Sequence, residues 1–119
     1  MCYLVTCAQC GKQYSGSTTQ FMHRRHVGHG LEVREESTPL GRHFAQHGLN
    51  SMEVQFIDCV QEGRQDALEA LRCLEGVWQH RLATFEAHGN INSRDELTMQ
   101  RQQQDQQPML RFAQRMLGM

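Results

Sequence analysis

A small α+β domain, built as a three-stranded antiparallel sheet flanked by helices, is the fold class that this sequence predicts. Three observations lead there. Two short strand-like runs stand close enough to form a hairpin, a third run rich in β-branched and aromatic residues follows much later, and helical stretches lie between and after them. The order strand, strand, helix, helix, strand, helix shows no internal repeat. With 119 residues the chain is long enough for one modest core and too short for two domains.

Residues 3–6 and a stretch around Tyr14 read as the hairpin strands, with residues 7–11 as its loop. Thr18 or Thr19 offers an N-cap for a first helix expected to run to about His29, where Gly28 and Gly30 would end it. Residues 32–37 then read as a charged loop. Thr38-Pro39 supplies an N-cap followed by proline at the first helical position, and Gly48 after His47 supplies a stop. Residues 53–60 read as the third strand. From about residue 64 to 84 the apolar Ala67, Leu71, Leu74, Trp78 and Leu82 recur at helical steps, the stripe of the longest helix. Residues 100–107 are glutamine-rich without apolar periodicity and read as a linker; residues 108–119 suit a short amphipathic helix. The sequence therefore divides into a domain over residues 1–97 and an appendage over 98–119. Its strand begins at the first residues, so the chain reads as part of a longer protein or as a domain retained alone.

Composition narrows the setting. No apolar run approaches the length that spans a bilayer, and no signal-peptide core follows Met1. Five cysteines, two at metal-ligand spacing, favour a reducing compartment, nuclear or otherwise intracellular, over a disulfide framework. Cys59 and Cys73, each in an apolar run, are expected as buried thiols. The formal net charge of −1 does not suit tight unaided binding to nucleic acid. Its distribution is uneven: Lys12, Arg24 and Arg25, with His23, His26 and His29, occupy a stretch free of carboxylates.

Cys7-x2-Cys10 and the pair His43 and His47, at i, i+4 on the expected second helix, carry the strongest chemistry. Zinc takes four such ligands in a tetrahedron, commonly a Cys-x2-Cys turn and two histidines on one helical face. Cys10 and His43 lie much too far apart for an independent Cys2His2 finger, which has roughly a dozen residues in that interval. The expected site is a structural clamp joining the hairpin loop to a separate helix. His26 and His29 are rival ligands with poorer spacing.

The cysteines lie within a Tyr3…Tyr14-Ser15-Gly16 bracket, and this nested pattern resembles the GIY-YIG endonuclease domain of Penelope-like retroelements, a branch with a Cys-Cys-His-His zinc site. Met1-Cys2 stands where the first motif has Gly-Ile, and Ser15 stands for the usual aliphatic residue of the second. Further positions follow in family order: Arg25-x3-His29, Glu75 within Leu74-Glu75-Gly76-Val77-Trp78, and Asn92 ahead of Arg94-Asp95-Glu96-Leu97. The resemblance covers roughly residues 2–97. It implies a metal-dependent DNA endonuclease that hydrolyses phosphodiester bonds beside a reverse transcriptase. Tyr3 or Tyr14 would act as general base, which requires surroundings that depress a phenol pKa of about 10. Arg25 would grip the scissile phosphate and His29 orient it or shuttle a proton. Glu75 would hold one magnesium or manganese ion, with Glu69 as a surface alternative; Asn92 closes the set, with Asn90 as rival. Arg24 points to another helix face. The second expectation is a catalytically inactive nucleic-acid-binding or interaction module with the same fold.

Overall fold

The computed structural model describes residues 1–20, 22–61, 63, 65–103 and 116. Strand β1 (Cys2–Cys7) lies at the centre of the sheet, with β2 (Gln13–Ser17) on one side and β3 (Met52–Asp58) on the other, both antiparallel to it. The central position explains the nearly unbroken apolar run of β1: Cys2, Tyr3, Leu4, Val5 and Cys7 are all buried, as a strand covered on both faces requires. Four α-helices complete the α+β fold among the described residues: α1 (Met22–Glu35), α2 (Pro39–His47), α3 (Ala67–Leu82) and α4 (Glu96–Gln103).

Helix α2 follows its local signals. Thr38 caps it, its hydroxyl accepting from the Gly41 backbone N–H at 3.0 Å, and Gly48, at φ 87°, ends it by donating to the Phe44 carbonyl at 2.8 Å. Leu40 and Phe44 pack with Tyr3, Val5 and Cys7 from alternate positions of β1, with Met52 and Ile91, to form the main core.

Helix α1 departs from expectation. It runs through Gly28 and Gly30 and absorbs the expected charged loop as far as Glu35, and the turn comes at Glu36, which adopts φ 51°. A helical glycine costs roughly 1 kcal/mol against alanine, and tertiary packing outweighs it here. His29 is fully buried, and α2 lies so close that a Cβ on Gly41 would fall 2.2 Å from the Glu32 carbonyl oxygen. Local propensity does not register a crossing of that kind.

Three smaller corrections concern the later elements. Strand β3 ends at Asp58, so Cys59 lies past the sheet and is exposed, whereas Cys73 is buried as expected. The buried face of α3 is rotated from the expected stripe: Ala70, Leu71, Cys73, Leu74 and Val77 are enclosed, while Ala67, Trp78 and Leu82 are only half-buried. Trp78 rests at the margin because its indole N–H donates to Asp58 Oδ2 at 2.9 Å. The first residues of the expected linker are helical, since α4 runs to Gln103; the rest of that segment and the expected terminal helix fall outside the described residues, apart from Met116. Among the described residues no helix is long and apolar enough to cross a membrane.

Candidate functional site: a metal-ligand cluster and a polar cleft

Cys7, at the end of β1, and Cys10, in the following turn, meet His43 and His47 of α2. One ligand atom from each of the four lies within 4.8 Å of every other, a group that could hold a metal ion. The turn is closed by the Gly11 N–H donating to the Cys7 carbonyl at 2.8 Å, which brings both sulfurs to one side. Cys10 Sγ lies 3.4 Å from His43 Nε2, and the imidazoles of His43 and His47 are stacked, 4.2 Å between centroids. His47 Nδ1 meets the His43 carbonyl at 3.0 Å, which makes Nδ1 the donor and turns Nε2 toward the cluster. Metal-bound histidines commonly use their second nitrogen in this way. Around a tetrahedral zinc ion, ligand atoms stand roughly 3.3–3.8 Å apart, so a small inward movement would complete the site. The donor set of two thiolates and two imidazoles fits zinc.

The remaining expected residues gather on the other side of α2. Register pairs Tyr3 with Gly16 and Val5 with Tyr14, which puts both phenols on one face of the sheet. His29 reaches that face from α1 and packs edge-on against both rings, 5.6 Å from Tyr3 and 6.4 Å from Tyr14. Arg25, one turn earlier, donates from Nε to the Tyr3 hydroxyl at 3.0 Å. An open cleft of about 200 Å³ adjoins this group, lined by Tyr14, Arg25, Glu32, Glu75, Asn92 and Arg94 among others. Tyr3 stands behind Arg25, fully buried. Arg24, by contrast, is exposed and lines a separate groove with Phe56 and Leu68. Lys12 lies elsewhere again, beside Arg42, so the cations adjacent in sequence are dispersed over the surface.

Electrostatics in the cleft are set mainly by burial. Glu75 is buried, held by the Ser17 hydroxyl and, at 3.5 Å, by the Gln79 amide; desolvation pushes its carboxyl up to about 7. Glu69 is exposed. The phenols contradict the requirement for a depressed pKa. Burial pushes Tyr3 up to about 12 against the pull of Arg25, and pushes Tyr14 further up. Both hydroxyls are therefore neutral at pH 7 with the site in this state.

His29 shifts the other way, to about 4, because burial and then the nearby Arg25 charge oppose protonation. Its Nδ1 lies 3.5 Å from Glu32 Oε2 without hydrogen-bond geometry, and both ring nitrogens lack a hydrogen-bond partner. A histidine whose folded pKa is depressed contributes stability above its unfolded pKa, and that contribution is lost as pH falls from about 6.5 toward 4. The expected result is that wild type loses more melting temperature between pH 7.5 and 5 than His29→Gln does. Metal release in acid affects both chains and cancels in the comparison, so equal losses would contradict this account of His29.

Asn92 takes a role that the sequence did not suggest. Its Oδ1 accepts from the Ser15 N–H at 2.8 Å and its Nδ2 donates to the Ser15 carbonyl at 3.1 Å. Asn90 does similar work, its Oδ1 accepting from the Gln13 N–H at 2.9 Å and its Nδ2 donating to the Ala83 carbonyl at 2.8 Å. The two asparagines clip the segment after α3 onto the residues flanking Tyr14. Asn92 thus holds the second tyrosine's strand in place, with its amide already committed.

Glu32 is the residue that sequence reasoning missed. Ending α1 at Gly28–Gly30 hid the fact that Arg25, His29 and Glu32 share one helical face. Continued helical periodicity through the glycines was the signal that would have found it.

No protein-family model matches this chain, and no curated protein or solved structure matches it.

Proposed function

We propose that this chain is a zinc-clamped, metal-dependent DNA endonuclease domain of the GIY-YIG type, working beside a reverse transcriptase in a Penelope-like element. One observation carries the proposal: Tyr14, Arg25, Glu75 and Asn92, assigned from a motif pattern spread over the whole domain, line a single cleft, with Tyr3 and His29 packed behind it against Arg25 and Tyr14. The metal-ligand cluster stands apart from it, at the opposite end of α2, as a structural zinc would.

In the reaction a water oxygen bonds to phosphorus, the bond from phosphorus to the leaving sugar oxygen breaks, and the water proton passes to a base. Arg25, which lines the cleft, would meet the charge developing on the phosphoryl oxygens through the guanidinium N–H groups not used by Tyr3 and Glu32. Tyr3 and Tyr14 are the candidate proton acceptors, and each would take the proton as its phenolate; burial opposes that form, so positive charge, from Arg25 on Tyr3 or from the bound divalent ion, would have to offset it. His29, neutral near pH 7, packs behind the cleft against both rings. A magnesium or manganese ion on Glu75 would supply positive charge for the attacking water and the phosphoryl group. Ser17 and Gln79 orient that carboxylate.

A second reading has specific support. The committed amide of Asn92 and the raised phenols suit an inactive nucleic-acid-binding descendant. Zinc-loaded protein incubated with supercoiled plasmid and with branched DNA separates the two. Nicks that need added magnesium or manganese and stop with chelator are expected. Retardation of either DNA with no nicking under any metal would select the second reading.

A further inference from the structure

We propose that Glu32 is the positioning residue of the cleft, fixing the Arg25 guanidinium through a carboxylate that is itself tied to the cap of the metal-ligating helix. The inference rests on the functional reading above for what Arg25 grips, and on geometry alone for how Arg25 is held. Arg25 Nη1 and Nη2 both donate to Glu32 Oε1 at 3.0 Å. The other carboxylate oxygen, Oε2, accepts from the Thr38 hydroxyl at 3.0 Å. Thr38 in turn caps α2, whose distal turns carry His43 and His47.

Several features indicate a built arrangement. Both side chains are largely covered, at 22% and 20% exposure, so their charge-assisted bonds are less screened than those of a surface pair. Arg25 must travel along α1 to reach Glu32, and Gly28 lies on that path: a Cβ there would come within 3.1 Å of Arg25 Nη1. The glycine that looks like a helix stop instead leaves room for the arginine. Gripping the fork at a single oxygen also sends Nε to Tyr3 and leaves the remaining N–H groups to meet a phosphate.

The alternative for a carboxylate on a phosphate-binding arginine is competition, in which Glu32 occupies the anion's place. The two predict opposite signs. With a positioning role, Glu32→Ala lowers the single-turnover cleavage rate per bound complex at least tenfold, without weakening DNA binding, because a negative charge is removed. Glu32→Gln keeps an acceptor for the guanidinium and recovers much of the rate. A rate increase in Glu32→Ala would overturn the proposal in favour of competition.

A readout independent of nuclease activity comes from side-chain NMR of nitrogen-15-labelled, zinc-loaded protein. The Arg25 Nε–H resonance, identified by its loss in Arg25→Ala, should exchange slowly with water in wild type. In Glu32→Ala it should exchange at least tenfold faster, with Glu32→Gln between them. An Nε–H signal indifferent to Glu32 would overturn the positioning role even if wild type cuts DNA. If wild type proves inert while that signal responds as described, the positioning role stands and the nuclease reading falls.

Discussion

Cys7→Ala and His43→Ala are expected to cost the protein its bound zinc and most of its stability. Cys7 ends the central strand and belongs to the main core, and His43 anchors α2, the helix that closes that core with Leu40 and Phe44. A zinc ion there would join the hairpin turn to a helix distant in sequence, and in small zinc modules such binding contributes on the order of ten kcal/mol of folding free energy at neutral pH. The wild-type protein should carry about one equivalent of zinc by metal analysis. Each variant should purify with much less zinc and melt far below wild type or fail to stay soluble. Cys59→Ala is the control, since Cys59 is exposed and away from the cluster. A Cys7→Ala protein that melts like wild type would remove the clamp from the account.

The second large effect concerns rate without loss of fold. Arg25→Ala and Glu75→Ala should each slow cleavage by roughly a hundredfold or more, about 2.7 kcal/mol of transition-state stabilisation. In the proposed reaction Arg25 would act on the phosphate and Glu75 through a divalent ion. Arg24→Ala makes the same charge change one position away, where the side chain lines a different groove. It should weaken DNA binding mildly and leave the rate per bound complex nearly unchanged. The ratio of the two arginine variants under single-turnover conditions isolates chemistry from binding. Abolished nicking in Arg24→Ala with an active Arg25→Ala would reverse the assignment.

What could be read from the sequence, and what could not, divides along physical lines. Helix α2 was legible because its signals are local: Thr38-Pro39 begins it, Gly48 ends it, and His43 and His47 fall on one face. The metal-ligand group was legible for the same reason, since two short-range spacings had only to be brought together. The end of α1 was not. Gly28 and Gly30 are weak helix formers, and what carries the helix past them is the close crossing with Gly41 and the burial of His29, both long-range effects. That misjudged boundary concealed Glu32. The buried face of α3 was misjudged because Glu75 and Gln79, polar by type, turn inward toward the cleft and rotate the helix. The bonds of Asn92 to Ser15 were not legible, because they depend on a chain segment returning to β2. The phenol pKa values depend on enclosure by several elements at once, which no residue spacing reports.

The central claim is that Glu75 makes this cleft a metal-dependent nuclease centre, and single-turnover nicking of supercoiled plasmid tests it most directly. Wild type and Glu75→Ala, matched for zinc content and melting behaviour, are compared over a magnesium and manganese titration. The account predicts nicking by wild type that saturates with metal, and a rate at least a hundredfold lower in Glu75→Ala at every concentration. Equal nicking by the two proteins, or none by wild type with either metal, would contradict it.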